Sequence, residues 1–230
     1  MSVLPPLDAE TIRAAVLHGR RGESSDYDLH PELREALRAG RPLRAAAVLC
    51  ALVDRGDGAG LRVILTRRAD HLRAHPGQVA FPGGRVDPTD LSPLHAALRE
   101  AEEEVGLPRD RVEVVGEIDG HETVTGFSVI PYVGFAPADF APRPDPAEVA
   151  EVFEPPLNFV LDPANRRRDW RDWNGTRRYY YAMPWEGRYI WGATARMLVG
   201  LAERVAAVTG TPPPPRRPAV GPTPPAEPAA

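Results

Sequence analysis

Four glutamates lie close together in the segment 99–107, which reads REAEEEVGL. Residues three and four positions apart are neighbours on a helix, so Glu100, Glu103 and Glu104 share one edge. Glu102 points the other way. Carboxylates gathered beside an apolar face repel one another and raise each other's pKa, and a hard divalent cation with oxygen ligands removes that penalty. The pattern indicates a metal site, but a solvated acidic helix face gives the same pattern, so the neighbouring residues must decide.

A Gly-Gly turn, Phe81-Pro82-Gly83-Gly84, precedes the acidic helix. Glycine lets backbone carbonyls or amides approach a metal ion or a pyrophosphate closely, although such a pair can also be only a turn. Arg99, one step round the helix, is able to orient a carboxylate by a two-point contact. The turn and the helix together favour a metal-assisted phosphate site.

The hydrophobic pattern predicts the elements that would position these groups. Ser92 suits the N-cap of the acidic helix, Pro93 its first position and Gly106 its end. Five apolar residues should pack this helix on a sheet: Leu94, Ala97, Leu98, Ala101 and Val105. We also expect helices at 8–20, 31–39 and 193–208, strands at 44–54, 61–66, 112–118 and 127–135, an extended piece at 78–81 and a loop at 136–147. Because strands and helices do not alternate strictly, we expect a mixed sheet between helices.

The composition excludes several classes of function. All 28 basic residues are arginine, so no lysine can bind phosphate, form a Schiff base or act as a general base. The net charge of −4 gives no basis for binding nucleic acid. No apolar run approaches the length that spans a membrane, and residues 1–6 have neither the basic nor the apolar region of a secretion signal. The single cysteine, Cys50, lies in an apolar run. We therefore expect a cytoplasmic protein without nucleic-acid or membrane partners.

The acidic helix resembles the second half of the Nudix hydrolase box, G-x5-E-x7-R-E-U-x-E-E-x-G-U, in which U is a bulky aliphatic residue. The matching residues are Arg99, Glu100, Glu103, Glu104, Gly106 and Leu107, with the smaller Ala101 at an aliphatic position. The first half departs from the box because Gly84-x5 reaches Asp90 instead of a glutamate. Eight residues, one more than usual, separate Asp90 from Arg99. The role of Asp90 is therefore open.

A second stretch is similar to the extended motif of the coenzyme A pyrophosphatase subfamily, LLT-x-R-[SA]-x3-R-x3-G-x3-FPGG. Residues 64–84 fit it throughout, with Ile64 for the first leucine, and the matches include Arg68, Arg73 and Gly77. Further similarity occurs at 124–127, 148–157 and 190–195. The predicted organisation is an N-terminal helical extension at 1–39, a Nudix domain at 40–208 and a proline-rich disordered tail at 209–230.

The resemblance implies an α/β/α sandwich with a mixed central β-sheet and an enzyme dependent on Mg²⁺ or Mn²⁺. The reaction it implies is hydrolysis of the pyrophosphate of coenzyme A (CoA) or a CoA ester. The products would be 4′-phosphopantetheine, or its acyl form, and adenosine 3′,5′-bisphosphate. One alternative is a Nudix pyrophosphatase acting on ADP-ribose, a dinucleotide or an oxidised nucleotide. Another is a non-catalytic Nudix-like domain that senses a nucleotide. In each case the partner is a small molecule, and we expect a monomer or homodimer.

Four residues of the acidic helix are expected to carry the reaction. Glu100 and Glu104 are the principal metal ligands, and Glu103 is a further ligand. Arg99 is expected to orient Glu103 or Glu100. The general base stays open between Glu100, the later glutamates Glu148 and Glu151, and no protein base at all.

Substrate binding is expected at Arg68, Arg73, Gly77, Gly83 and Gly84. The two arginines could contact phosphate, although either could instead form a structural ion pair. Downstream aromatics at 170, 173 and 179–181 could stack on adenine or simply pack. The arginines at 166–168 could bind an anion or form a solvated face.

Overall fold

The computed structural model describes residues 7–19, 22, 24–30, 42–173 and 176–211. The α-helices of this part of the chain are α1 (Ala9–His18), α2 (Pro93–Val105), α3 (Leu157–Leu161) and α4 (Gly192–Thr209), with 3-10 turns at Arg109–Arg111 and Pro163–Asn165. The strands are β1 (Ser24–Ser25), β2 (Arg44–Asp54), β3 (Leu61–Val63), β4 (Leu65–Arg68), β5 (Val79–Ala80), β6 (Gly83–Arg85), β7 (Glu113–Glu117), β8 (His121–Glu122), β9 (Phe127–Phe135), β10 (Val149–Phe153), β11 (Arg167–Trp173), β12 (Thr176–Trp185) and β13 (Arg188–Trp191).

The central sheet has seven strands of mixed direction. Its order is β1-β8-β9-β2-β3, with β6 also paired to β2 and β7 also paired to β9. β2 runs parallel to β9 and antiparallel to β3 and β6. The sequence of β2 is an almost continuous apolar run, as expected for a strand that is covered on both faces.

Side chains of β2 alternate between two hydrophobic clusters on opposite faces of the sheet. Cys50 and Leu52 lie in the cluster formed with α1 and α4. Leu49 and Val53 lie in the cluster formed with α2. Helices therefore cover both faces, and the predicted α/β/α sandwich with a mixed central sheet is confirmed.

A buried arginine on α4 joins this helix to α1 and to the loop after β7. The Arg204 side chain, 2% exposed, bonds the Asp119 carboxylate through two of its nitrogens. It also donates to the carbonyl of Val16 at 3.1 Å. The N-terminal helix is therefore packed into the body that carries the sheet.

Most predicted elements are present. The predictions at 8–20, 44–54, 112–118, 127–135 and 193–208 correspond to α1, β2, β7, β9 and α4, and 78–81 contains β5. No helix or strand lies in the loop predicted at 136–147. The strand predicted at 61–66 is instead two strands, because the chain changes partners at Ile64, with β3 pairing to β2 and β4 to β5 and β10. The helix predicted at 31–39 and the tail from 212 lie outside the described residues.

Two three-stranded sheets were not predicted as such. One has the order β10-β4-β5, and the other has the order β11-β12-β13. β4 and β5 carry the segment that leads into the Gly-Gly turn, so the first of these sheets positions part of the site. Within the described residues, every helix is too short or too polar to cross a membrane.

Candidate active site

α2 begins and ends where the sequence predicts. Ser92 Oγ accepts a hydrogen bond from the backbone N–H of His95 at 3.1 Å, and Pro93 opens the helix. Gly106, which follows the last turn, has a φ of 72°, a left-handed conformation that favours glycine. These caps fix the ends of the helix and therefore the directions in which its glutamates project.

α2 packs on the sheet through a face of small residues. Leu94 and Leu98, expected on this face, are only half-buried at its border. Because alanine side chains are short, α2 lies close to β2 and carries a glutamate into the interior. The buried residues of α2 are Ala96, Ala97, Ala101, Glu104 and Val105.

The glutamates of α2 have different surroundings. Glu104 is 5% exposed, Glu100 is 18% exposed and Glu103 is 56% exposed. Glu102 points away from these three and accepts a hydrogen bond from Arg109 at 2.6 Å. The predicted edge of three carboxylates therefore runs from the interior to the surface.

The Gly-Gly turn is in contact with this edge. The backbone N–H of Gly83 donates to Glu104 Oε2 at 3.1 Å. A Cβ on Gly83 would lie 2.5 Å from the carbonyl oxygen of Ala47, and a Cβ on Gly84 would lie 2.6 Å from the carboxyl carbon of Glu100. Position 83 therefore requires glycine because the backbone of β2 leaves no room for a side chain, whereas a side chain at position 84 would displace the Glu100 carboxylate.

Arg99 links Glu100 and Glu103 to the loop that precedes α2. Its Nε and Nη2 donate to the two carboxylate oxygens of Asp90 at 3.0 and 2.9 Å. Its Nη1 donates to Glu100 Oε1 and to Glu103 Oε2, each at 2.9 Å. The contacts expected of Arg99 with Glu100 and Glu103 are therefore both present.

Asp90 is the residue whose part the sequence left open. Its side chain has no exposed surface, and besides Arg99 it contacts His95 Nδ1 at 2.9 Å. Asp90 closes a turn in which its N–H donates to the carbonyl of Asp87 at 2.9 Å. The altered spacing concealed this contact, but a carboxylate held between an arginine and a histidine marks Asp90 as part of the site.

Burial and mutual repulsion set the charges of the inner carboxylates. Burial, followed by the negative charges of Glu100 and Glu148, raises the pKa of Glu104 to about 7, although the Gly83 N–H and Arg68 oppose the shift. Burial also raises the pKa of Glu100, against the effect of Arg99. By contrast, the hydrogen bonds from Arg99 hold the pKa of Asp90 well below its usual range. The inner end of the site is therefore short of positive charge.

The structure distinguishes the two later glutamates. Glu148 is exposed, and after the effect of burial its negative charge contributes to raising the pKa of both Glu100 and Glu104, so it lies within electrostatic range of them. Glu151 is bound by Arg188, whose Nε donates at 2.9 Å, and lies 3.8 Å from Arg67. Glu148 is therefore an exposed carboxylate within electrostatic range of Glu100 and Glu104, whereas Glu151 is engaged in ion pairs.

The residues predicted to bind substrate also differ in their positions relative to the acidic edge. Arg68 Nη1 lies 3.8 Å from Glu104 Oε1, at the inner end of the site. Arg73 is exposed and makes no hydrogen bond or ion pair with the residues that the structure describes. Gly77 has a φ of 68° and donates its N–H to the carbonyl of Arg68 at 3.2 Å. The structure brings Arg68 to the acidic edge, and Gly77 helps to hold the backbone of Arg68 in place.

The donor set fits a hard divalent cation. Among the described residues, no three His, Cys, Asp or Glu side chains already converge as a metal-binding group. Glu100 and Glu103 are paired with Arg99, Glu104 lies at ion-pair distance from Arg68, and Glu103 is turned toward solvent. Even so, Glu104 is a buried carboxylate with too little positive charge around it, beside the oxygens of Glu100 and Glu148. Such an all-oxygen, negatively charged set suits Mg²⁺ or Mn²⁺.

The downstream arginines and aromatics form the β11-β12-β13 sheet. Arg166, Arg167 and Arg168 each lie over a tyrosine ring, at 5.7, 5.6 and 5.1 Å from its centre. Arg177 lies 3.8 Å from the centre of the Trp170 ring. These residues therefore pack on one another, and the side chain of residue 173 lies outside the described part.

Sequence similarity to known proteins identifies the family of the chain. The NUDIX domain model matches residues 43–174. A protein named uncharacterized Nudix hydrolase NudL, from Enterobacter sp. (strain 638), is 44% identical over 170 residues, covering 70% of this chain and 83% of the relative. A protein of the same name from Yersinia enterocolitica is 43% identical over 162 residues, covering 70% of this chain and 80% of the relative.

Solved structures of the family are more distant. The Nudix hydrolase RenU of M. smegmatis aligns with a TM-score of 0.43 at 22% identity, covering 77% of this chain and 91% of its own. The NUDIX domain of Shewanella oneidensis NrtR, complexed with ADP ribose, aligns with a TM-score of 0.41 at 22% identity, covering 54% and 79%. Because both TM-scores are low, the assignment rests on the sequence matches. The family model covers more than half of the chain, and the chain belongs to the Nudix hydrolase family.

Proposed function

We propose that this Nudix hydrolase cleaves the pyrophosphate bond of coenzyme A or a CoA ester. The observation that carries the proposal is the position of Arg68. This arginine belongs to the segment at 64–84 that resembles the CoA pyrophosphatase motif, and it lies 3.8 Å from the buried carboxylate of Glu104. A cationic group of that motif thus lies beside the acidic edge of the Nudix box, where a phosphate would have to bind.

Glu104 and Glu100 would hold the divalent cation, Mg²⁺ or Mn²⁺, with Glu103 as a further ligand, direct or through water. The bound ion supplies neutralisation of the pyrophosphate oxygens and a lowered pKa for the attacking water. The backbone at Gly83 fixes one oxygen of Glu104 by a hydrogen bond, which leaves the other oxygen directed at the site. Arg99 and Asp90 hold Glu100 and Glu103 in place from the outer side.

For the general base, the geometry favours Glu148 over Glu151. The Glu148 carboxylate is exposed and within electrostatic range of Glu104, so it would accept a proton from a water molecule at the site. Glu100, the other candidate, already accepts a hydrogen bond from Arg99 and is half-buried against Gly84. We therefore assign Glu100 to metal binding and Glu148 to proton acceptance.

Arg68 and Arg73 would bind phosphate groups of the substrate. A guanidinium group makes two-point contacts with phosphate, and this chain has no lysine to do so. Arg73 is exposed on the loop that follows β4 and makes no hydrogen bond or ion pair with the described residues, so it is the candidate for the 3′-phosphate that distinguishes CoA from other ADP derivatives.

The test is a comparison of substrates. Hydrolysis of CoA, dephospho-CoA, ADP-ribose and NADH would be measured with Mg²⁺ and with Mn²⁺. We expect kcat/KM for CoA to exceed that for dephospho-CoA about tenfold or more, the effect of one charge-assisted phosphate contact. Arg73→Gln should remove most of that ratio, whereas Arg62→Gln, which replaces an arginine paired with Asp57, should leave it unchanged. Equal or faster turnover of ADP-ribose would refute the CoA assignment.

A further inference from the structure

Glu104 is neutralised unevenly by its neighbours. Its Oε2 accepts the hydrogen bond from Gly83, but its Oε1 has only the guanidinium of Arg68, at 3.8 Å. That distance is beyond a hydrogen bond, so the contact is a loose ion pair. Oε1 is therefore the oxygen available to a metal cation, and it is also the oxygen nearest to the Arg68 guanidinium.

Arg68 is free to leave this position without disturbing the fold. Its backbone is fixed in β4, since its N–H donates to the carbonyl of Gln78 at 2.9 Å and its carbonyl accepts from Gly77 at 3.2 Å. Its side chain is 27% exposed. Within the described chain, Glu104 is the only carboxylate at ion-pair distance from it. A fixed backbone with a singly held side chain allows the guanidinium to move alone.

The adjacent arginine differs on each of these points. Arg67 points to the other face of β4, where its Nη1 donates to Asp70 at 2.7 Å and its Nε lies 3.8 Å from Glu151. Both arginines have similar exposure, 33% against 27%. Arg67 is therefore a matched control whose charge is already committed to other carboxylates.

From this geometry we infer that Arg68 is an internal counter-ion that competes with the divalent cation for Glu104, and that it turns to the substrate's phosphate once the cation has displaced it. Two cations at one carboxylate oxygen repel each other, so binding of either weakens binding of the other. A displaced guanidinium is available to a phosphate anion. Metal and substrate therefore bind cooperatively, because each favours the position of Arg68 away from Glu104 in which the other binds better. The inference rests on the metal site of the proposed function.

The test measures Mn²⁺ binding by the full chain without substrate, from the loss of the free Mn²⁺ electron paramagnetic resonance signal. Arg68→Gln should bind Mn²⁺ about fivefold or more tightly than the wild type. Arg68→Met, which also lacks the charge, should behave in the same way, and its thermal melt together with that of Arg68→Gln checks that the variants fold. Arg68→Lys keeps the charge and should bind Mn²⁺ like the wild type, and Arg67→Gln should change the Kd less than twofold.

A second titration measures the coupling. Adenosine 3′,5′-bisphosphate at saturating concentration should lower the Kd for Mn²⁺ of the wild type, and this effect should disappear in Arg68→Gln. Unchanged or weaker Mn²⁺ binding by both uncharged variants would overturn the inference alone, provided that Glu104→Gln abolishes binding. If Glu104→Gln instead binds Mn²⁺ like the wild type, the metal site of the proposed function is wrong, and the inference falls with it.

Discussion

The two ends of α2 hold carboxylates in contrasting surroundings. Just before the N-terminal end, the Asp90 side chain has no exposed surface, accepts two hydrogen bonds from Arg99 and contacts His95. At the C-terminal end, Glu104 is almost as deeply buried, but it has one backbone N–H and a distant guanidinium, that of Arg68. The pKa of the first carboxyl is lowered by Arg99, and that of the second is raised to about 7, chiefly by burial.

This difference distinguishes a carboxylate with a structural role from one that is able to bind a metal ion. A carboxylate whose partners are all within the chain is complete, and it can only hold those partners in place. A buried carboxylate with too little positive charge is unstable by itself and attracts a cation from outside. Burial alone therefore does not identify a functional carboxylate. The deficit of hydrogen-bond donors and positive charge around a buried carboxylate does identify it.

The largest effect is expected for Glu104→Gln, which preserves shape and removes the charge. Loss of a principal metal ligand should lower kcat for CoA about 100- to 1000-fold. In EDTA at pH 8 the variant should melt at the same temperature as the wild type or higher, because it no longer buries an undercompensated charge. The measurements are steady-state rates and a thermal melt. A variant that loses stability and retains activity would place Glu104 with Asp90, as a structural carboxylate.

The next effect distinguishes the two later glutamates. Glu148→Gln should lower kcat by about 100-fold, the contribution of a general base, and should remove the acidic limb of the pH–rate profile. Glu151→Gln removes the carboxylate nearest to Arg188, so it should reduce stability while leaving the acidic limb in place. The paired pH profiles are the check. The reverse result would transfer the role of base to Glu151.

Asp90→Asn should reduce activity less, by about 10-fold, since it acts through Arg99 on Glu100 and Glu103. Its signature is in the pH dependence of stability. Because the folded-state pKa of Asp90 is lowered, its contribution to the free energy of unfolding is present above the unfolded pKa, about 4, and is lost as the pH falls below it. Urea unfolding should therefore show a stability gap between wild type and variant at pH 6 that narrows toward pH 3. A gap independent of pH would contradict this role.

The sequence predicted the elements of the site more fully than the contacts within it. Ser92, Pro93 and Gly106 gave the bounds of α2, because caps are local signals, and the helical spacing gave the edge of glutamates. The contact of Asp90 with Arg99 depends on how a loop turns between them, and periodicity contains no information on that. The burial of Glu104 but not Glu103 depends on how closely α2 approaches β2.

The β11-β12-β13 sheet shows the same limit for the fold. β11 reads RRDWRDW, with no alternation of aliphatic and polar residues. Its faces are covered by contacts between arginines and aromatic rings, such as Arg168 on Tyr179, which come from the neighbouring strand. When the side chains that cover a strand belong to a neighbouring strand, the residue pattern of the strand itself gives little basis for predicting it. None of the three strands of this sheet was accordingly predicted from the sequence.

The smallest effect is expected for Glu102→Gln, which completes the comparison on the same helix. Glu102 and its partner Arg109 are about equally exposed, at 40% and 38%, and their ion pair lies on the side of α2 away from the other glutamates. An exposed pair of this kind contributes about 0–1 kcal/mol, since water screens it and the side chains lose freedom. We therefore expect kcat/KM within about twofold of the wild type and a free energy of unfolding lowered by no more than about 1 kcal/mol. Because Glu102 has the same charge as Glu103 and lies next to it in sequence, a large loss of activity here would mean that the total negative charge of α2, rather than the direction of each side chain, sets the affinity for metal.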